Sequence, residues 1–149
     1  MTKESQMTTI DEVMTAGHRT CDRYFASAEA AVADADWPGA KDAWRKFSRV
    51  LDQHITVLEE KLLFPAFEEV NGPAGPTQMM RMEHDQIRIL VEQIHTALAA
   101  RDQQVFLGLA ETLMLLIQQH NIKEEQILYP MMDESIVNAA DYVGKLQLE

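Results

Sequence analysis

The chain has 149 residues, a formal net charge of −11 and a single cysteine. That length suits one domain able to bury a core; the acidic balance argues against nucleic acid and anionic membrane surfaces, which need clustered Lys and Arg; and no apolar run approaches the ~18 residues of a membrane span. Cys21 has no internal partner for a disulfide and the first residues lack an apolar signal-peptide segment, so the expected compartment is the cytoplasm.

Ala, Leu and Met are abundant and β-branched runs are missing, which predicts helices. Residues 1–9 are expected to be disordered. Thr9 and Glu12 fit a capping box, so a first helix should start at Ile10 and run to about Asp34. Its apolar stripe is Ile10, Met14, His18, Cys21, Phe25 and Ala28, spaced by threes and fours. Asp36 caps a second helix with Pro38 in its first turn. The second stripe is Ala40, Trp44, Phe47, Leu51, His54, Leu58 and Leu62, and the helix should end between residues 65 and 70. Asn71-Gly72-Pro73-Ala74-Gly75-Pro76 is the strongest breaker in the chain. The third helix follows, with Met80, His84, Ile87, Val91, Ile94 and Leu98 facing inward. Asp102 caps the fourth, whose stripe is Phe106, Leu109, Leu113, Ile117, His120, Glu124 and Ile127. Pro130 should bend or stop it, because proline lacks the amide hydrogen and crowds the previous turn. Short connections predict an all-α fold, an antiparallel up-down-up-down four-helix bundle over residues 10–135. Residues 136–149 form a short C-terminal tail with one short helix around 136–142.

The chain repeats itself. His54 and His120 each precede a Glu-Glu pair and a Leu-aromatic-Pro segment. His18 and His84 are 66 positions apart, as are His54 and His120, and each first histidine precedes its second by 36. The Glu-Glu pairs and the prolines recur at 65. This is a two-fold repeat of a helical hairpin with one histidine per helix and an acid pair on every second helix. In an antiparallel bundle the four imidazoles converge in one layer, the way bundles build metal sites from facing helices.

Glu124 follows His120 by four residues and shares its helix face, about 40° away at ~100° per residue. Glu59 follows His54 by five, about 140° away on a regular helix. Helix 2 must therefore be overwound or bulged near residues 55–58, as in a π-bulge, or Glu59 must reach over from a neighbouring face. His18, His54, Glu59, His84, His120 and Glu124 form a mixed N/O donor set suited to iron, manganese or zinc. Six donors exceed the usual four of one zinc. Two metals sharing two bridging carboxylates would use all six and leave positions for a small exogenous ligand. A single buried histidine reads as a core residue; four at a repeated spacing with acids nearby read as a metal centre. Glu60 and Glu125 read as solvated helix-face charges, the Leu-aromatic-Pro segments as packing and helix termination, and Cys21 as a small buried hydrophobe with a redox role as the alternative. His95 lies ~16 Å further along its helix than His84 and reads as a surface residue. Asp22 and Arg88, at equivalent places in the two repeats, either pair with each other, orient ligands or are surface charges. The Met79–Met82 run reads as packing.

These residues, with the Glu-Glu-x-x-Leu-aromatic-Pro segments and Glu83-His84, resemble the hemerythrin-like (HHE, cation-binding) family over about residues 10–135. The resemblance implies two non-haem iron ions (Fe2+/Fe3+) bridged by two carboxylates and an oxo or hydroxo group. His18 and His54 would ligate one iron, His84 and His120 the other, and Glu59 and Glu124 would bridge. It implies a protein that binds or senses dioxygen, a related small ligand, or iron and redox state. An acidic bundle of this kind is expected as a monomer or homodimer, and its charge predicts no nucleic-acid or membrane partner. The alternatives are redox catalysis at the same centre (peroxide breakdown or repair of damaged iron centres), iron storage or delivery, and a metal-free helical module. The family's oxygen carriers have a further histidine on the third helix where this chain has Arg88, so one iron loses a ligand that Glu83 or an exogenous group could replace.

Overall fold

The computed structural model describes residues 7–72 and 75–148; residues 1–6 of the stretch expected to be disordered lie outside it. The fold is all-α. Helix α1 spans Ile10–Ala33 and α2 spans Trp37–Asp52. The second rod then continues without a break through a π-helical segment, π1 (Gln53–Leu63), into α3 (Phe64–Asn71). After the joint come α4 (Gly75–Ala99) and a second composite rod of α5 (Gln103–Lys123), π2 (Glu124–Leu128) and α6 (Tyr129–Ser135). A last helix, α7 (Ala139–Leu148), packs on α1 and α6; it lies later than the expected 136–142. The four rods pack antiparallel, α1 along α2 and α4 along α5. Among the described residues no helix is long and apolar enough to cross a membrane.

Local chemistry sets the starts. Thr9 and Glu12 form the capping box at α1, and the Asp36 and Asp102 carboxylates accept from the amides of Gly39 and Val105. The Asp133 carboxylate on α6 accepts from the amides of Ile10 and Asp11, so the end of the bundle holds its beginning. Both hairpin turns use one left-handed residue just before the capping aspartate, Ala35 (φ 55°) and Arg101 (φ 52°).

The π segments change the phase of the rods. Of the alternatives for helix 2, the bulge is the one present, and it extends beyond residues 55–58 to cover Gln53–Leu63. An extra residue per turn carries the buried positions one step along. Leu63 and Leu128 are therefore buried, while Leu62 is half-buried and Ile127 is 57% exposed, against the expectation that both faced inward. Neither rod stops at its proline. Pro65 and Pro130 sit in the first turn of α3 and α6, directly after the wide π turns, where the hydrogen-bond ladder returns from five-residue to four-residue spacing. The missing amide costs least at such a shift.

Two apolar clusters fill the bundle. One, toward the hairpin turns, contains Phe25, Trp44, Phe47, Ile94, Phe106 and Leu113; the other contains Ile10, Met14, Leu63, Phe64, Phe67, Met80, Leu128, Tyr129 and Met132, with Val143 and Leu146 from α7. Met80 is the only member of the methionine run in the core; Met79 and Met82 are exposed. Between the clusters lies a buried polar layer.

Candidate metal centre

The layer consists of His18, His54, Glu59, His84, His120 and Glu124, each 5% exposed or less. The structure thus brings all six candidate residues together. Their donor atoms form two groups, His18, His54, Glu59 and Glu124 in one, and His84, His120, Glu59 and Glu124 in the other. Within each, the atoms lie within 4.8 Å of one another.

The π turn explains how Glu59 joins. It widens the rod so that His54 and Glu59, five apart, share a face, with His54 Nε2 3.4 Å from Glu59 Oε2. The other oxygen, Oε1, lies 2.9 Å from His84 Nε2. Glu124 divides its oxygens the same way, Oε1 3.0 Å from His18 Nε2 and Oε2 3.3 Å from His120 Nε2. Each carboxylate therefore spans both groups, one oxygen to each.

All four histidines aim Nε2 inward. Three are held from outside by carboxylates at Nδ1: His18 by Glu125 at 2.7 Å, His84 by Glu60 at 2.6 Å and His120 by Glu83 at 2.8 Å. An Nδ1–H donated outward leaves the Nε2 lone pair for a metal and fixes the ring. Glu60 is itself held by Arg88, which also bonds Thr56, and Glu83 by Lys123. His54 differs, because Gly17 packs against its Nδ1 edge.

Buried polar atoms test whether this set fits a cation. His84 Nε2, His120 Nε2, Glu59 Oε1 and Glu124 Oε2 are buried without a hydrogen bond, though each faces another at short range. Atoms that converge without bonding one another suit an ion at their common focus, since a buried polar group left unpaired is otherwise costly. The electrostatics agree. Burial depresses His18 and His120, but the surrounding carboxylates outweigh it, raising His18 and bringing His120 to about 9. Burial alone would raise Glu59, yet His54 and His84 hold it well below the usual carboxylate range. The carboxylates that favour a proton on these imidazoles would equally favour a cation among them.

Sequence reasoning missed the roles of three side chains and placed a fourth, Glu83, among the possible ligands. Glu60 and Glu125 are not merely solvated; they orient His84 and His18. Glu83 bonds His120 from outside the layer and does not face its centre. Tyr129 does more than pack: its hydroxyl donates to Glu59 and lies 2.9 Å from Glu124 Oε1 and 3.2 Å from Nε2 of both His18 and His54. Burial and the two carboxylates hold its phenol well above the usual range. The 65-residue repeat of the Glu-Glu pair was the available signal for Glu60 and Glu125. Arg88 pairs with Glu60 and Asp85, so it is a positioning group here. His95 is exposed. Cys21 is buried, and burial pushes its thiol up to about 12, against a thiolate role.

Beside the layer, a cavity of about 10 Å³ is lined by His18, Cys21, Leu51, Ile87, Ile117 and Asn121 among others. That is about the room for one water-sized guest.

The family model for the hemerythrin HHE cation-binding domain matches residues 9–132, and the chain belongs to that family. No curated protein and no solved structure matches it.

Proposed function

We propose that this hemerythrin HHE domain holds two non-haem irons and binds or senses dioxygen, a related small ligand, or the iron and redox state itself. The observation that carries the reading is the pair of four-donor groups sharing Glu59 and Glu124. His18 and His54 would hold one ion, His84 and His120 the other, and each carboxylate would give one oxygen to each. A donor set of imidazole and carboxylate without thiolate suits iron. When bound, iron supplies reversible one-electron chemistry and open positions for a diatomic ligand. The protein orients its imidazoles through Glu60, Glu83 and Glu125, and surrounds the layer with apolar side chains that exclude bulk water. The small cavity, lined by His18, His54 and His120 as well as Leu51, Ile87 and Ile117, favours a water-sized or diatomic guest over an organic substrate. The reading includes a cytoplasmic location, supported by a lone, buried cysteine.

A second reading is peroxide breakdown or repair of damaged iron centres at the same layer. It is favoured by Tyr129, a buried hydroxyl set among the donors as a local proton source. Peroxide consumption above that of equal free iron would support it.

The test is metal content by mass spectrometry with absorption spectra of the reduced protein before and after air. About two irons per chain and bands that reverse when oxygen is removed are expected. Irreversible oxidation would favour the catalytic reading. No stoichiometric metal after anaerobic iron loading would overturn both.

A further inference from the structure

The repeat is broken at one position that touches the centre. Tyr129 and Phe64 are the aromatic residues of the two Leu-aromatic-Pro segments, 65 apart. Their rings hold matching places. Phe64 stacks on His84 with ring centres 5.6 Å apart, and Tyr129 lies 5.7 Å from His18. The histidine pairs match as well, 4.7 Å for His18–His54 and 4.8 Å for His84–His120. What differs is one oxygen. In the His18/His54 group every donor atom is within bonding distance of the Tyr129 hydroxyl. In the His84/His120 group, beside Phe64, all four donor atoms are buried and without a hydrogen bond.

Donors bound side by side to one ion at ~2.1 Å stand about 3 Å apart. The Tyr129 oxygen stands at that spacing from both imidazoles and from Glu124. We propose that Tyr129 makes the halves of the centre chemically unequal: its oxygen is a fifth donor of the His18/His54 half, whereas Phe64, in the matching place, offers none to the His84/His120 half. Coordination replaces the Tyr129 O–H bond with an oxygen–metal bond; the proton leaves to solvent and the cation balances the phenolate charge. The proposal rests on the di-iron reading and gives its two irons different donor sets.

The test uses the full chain loaded with ferric iron, with iron content measured on every sample. Wild type should hold two irons and show a visible phenolate-to-iron charge-transfer band with phenolate modes in resonance Raman. Tyr129→Phe should keep both irons and lose the band and those modes. Phe64→Tyr, which adds the equivalent oxygen to the other half, should strengthen the band. Two irons with the same visible spectrum in wild type and Tyr129→Phe would overturn the proposal and leave the di-iron reading standing. Two irons with an unchanged band in Phe64→Tyr would overturn the equivalence of the two aromatic positions. Absence of iron in wild type would overturn the di-iron reading and this proposal with it.

Discussion

Gly17 and Glu83 hold equivalent positions in the two halves of the chain, yet they treat their histidines in opposite ways. Glu83 accepts a hydrogen bond from His120 Nδ1 at 2.8 Å. Gly17 offers bare backbone to His54, and a Cβ there would stand 2.9 Å from His54 Nδ1 and 3.1 Å from Cε1. Gly17→Ala should therefore push the imidazole out of line. A loss of ~1–3 kcal/mol is expected from overpacking, along with weaker metal binding, read by thermal unfolding and chelator competition. A Gly17→Ala protein with wild-type stability and metal affinity would show that the ring has room to move.

Glu60 holds the outer edge of His84 and is fixed by Arg88. Glu60→Gln should keep the helical fold by circular dichroism while metal affinity falls ~10–100-fold, the usual cost of losing a group that orients a ligand. The control is Asp85→Asn, which touches only the exposed side of Arg88 and should change stability by no more than ~0.5 kcal/mol.

His120 gives the centre a pH signature. With no metal bound, burial lowers its pKa but Glu124, Glu59 and Glu83 outweigh that and lift it from 6.5 to about 9. A histidine whose folded pKa is raised stabilises the fold through its protonated form. That contribution is complete below pH 6.5 and is lost as pH rises through about 9. The Tm of metal-stripped protein should fall across that window, and the fall should shrink in the metal-loaded protein, because a cation replaces the proton. Metal uptake near neutral pH should release protons, measurable in weakly buffered solution.

Ala35 and Arg101 carry the left-handed turns at the two hairpin tips. A side chain in that conformation costs roughly 1 kcal/mol or more, which glycine avoids at some cost in chain entropy. Ala35→Gly should raise stability by about 0.5–1 kcal/mol in denaturant unfolding, with metal content unchanged.

Phe47 sits in the far apolar cluster against Phe25 and Trp44. Phe47→Ala should cost ~3–5 kcal/mol. Because the loss lies away from the polar layer, iron stoichiometry should persist in the fraction that stays folded.

The six candidate donors were legible in the sequence because their spacing repeats, and no solvated helix face needs four histidines at matching heights. The π turn at Gln53–Leu63 was legible only as one alternative, since the spacing of His54 and Glu59 also allowed an overwound helix or a reach from a neighbouring face. Its twin at Glu124–Leu128 left no such trace. It begins at Glu124, after the His120–Glu124 pair is already in register, so the resulting shift of burial from Ile127 to Leu128 could not be read from donor spacing. Glu60 and Glu125 carried a signal in the repeated Glu-Glu pair, but their role was hidden for another reason. An acid beside a ligand looks solvated until the neighbouring helix is known to bring a histidine edge against it. The Tyr129 hydroxyl was hidden because one aromatic ring packs like another in a periodic stripe.

Glu59 lies on the first hairpin and Glu124 on the second, and each serves the histidines of both. Neither hairpin alone holds a complete donor set, which is the arrangement of a symmetric dimer whose two copies have been fused. In such a dimer any substitution alters both sites at once, so no residue can be tuned for one metal without changing the other. Fusion removes that constraint. The differences between Tyr129 and Phe64, Glu83 and Gly17, and Arg88 and Asp22 are open only to a chain that encodes its two halves separately.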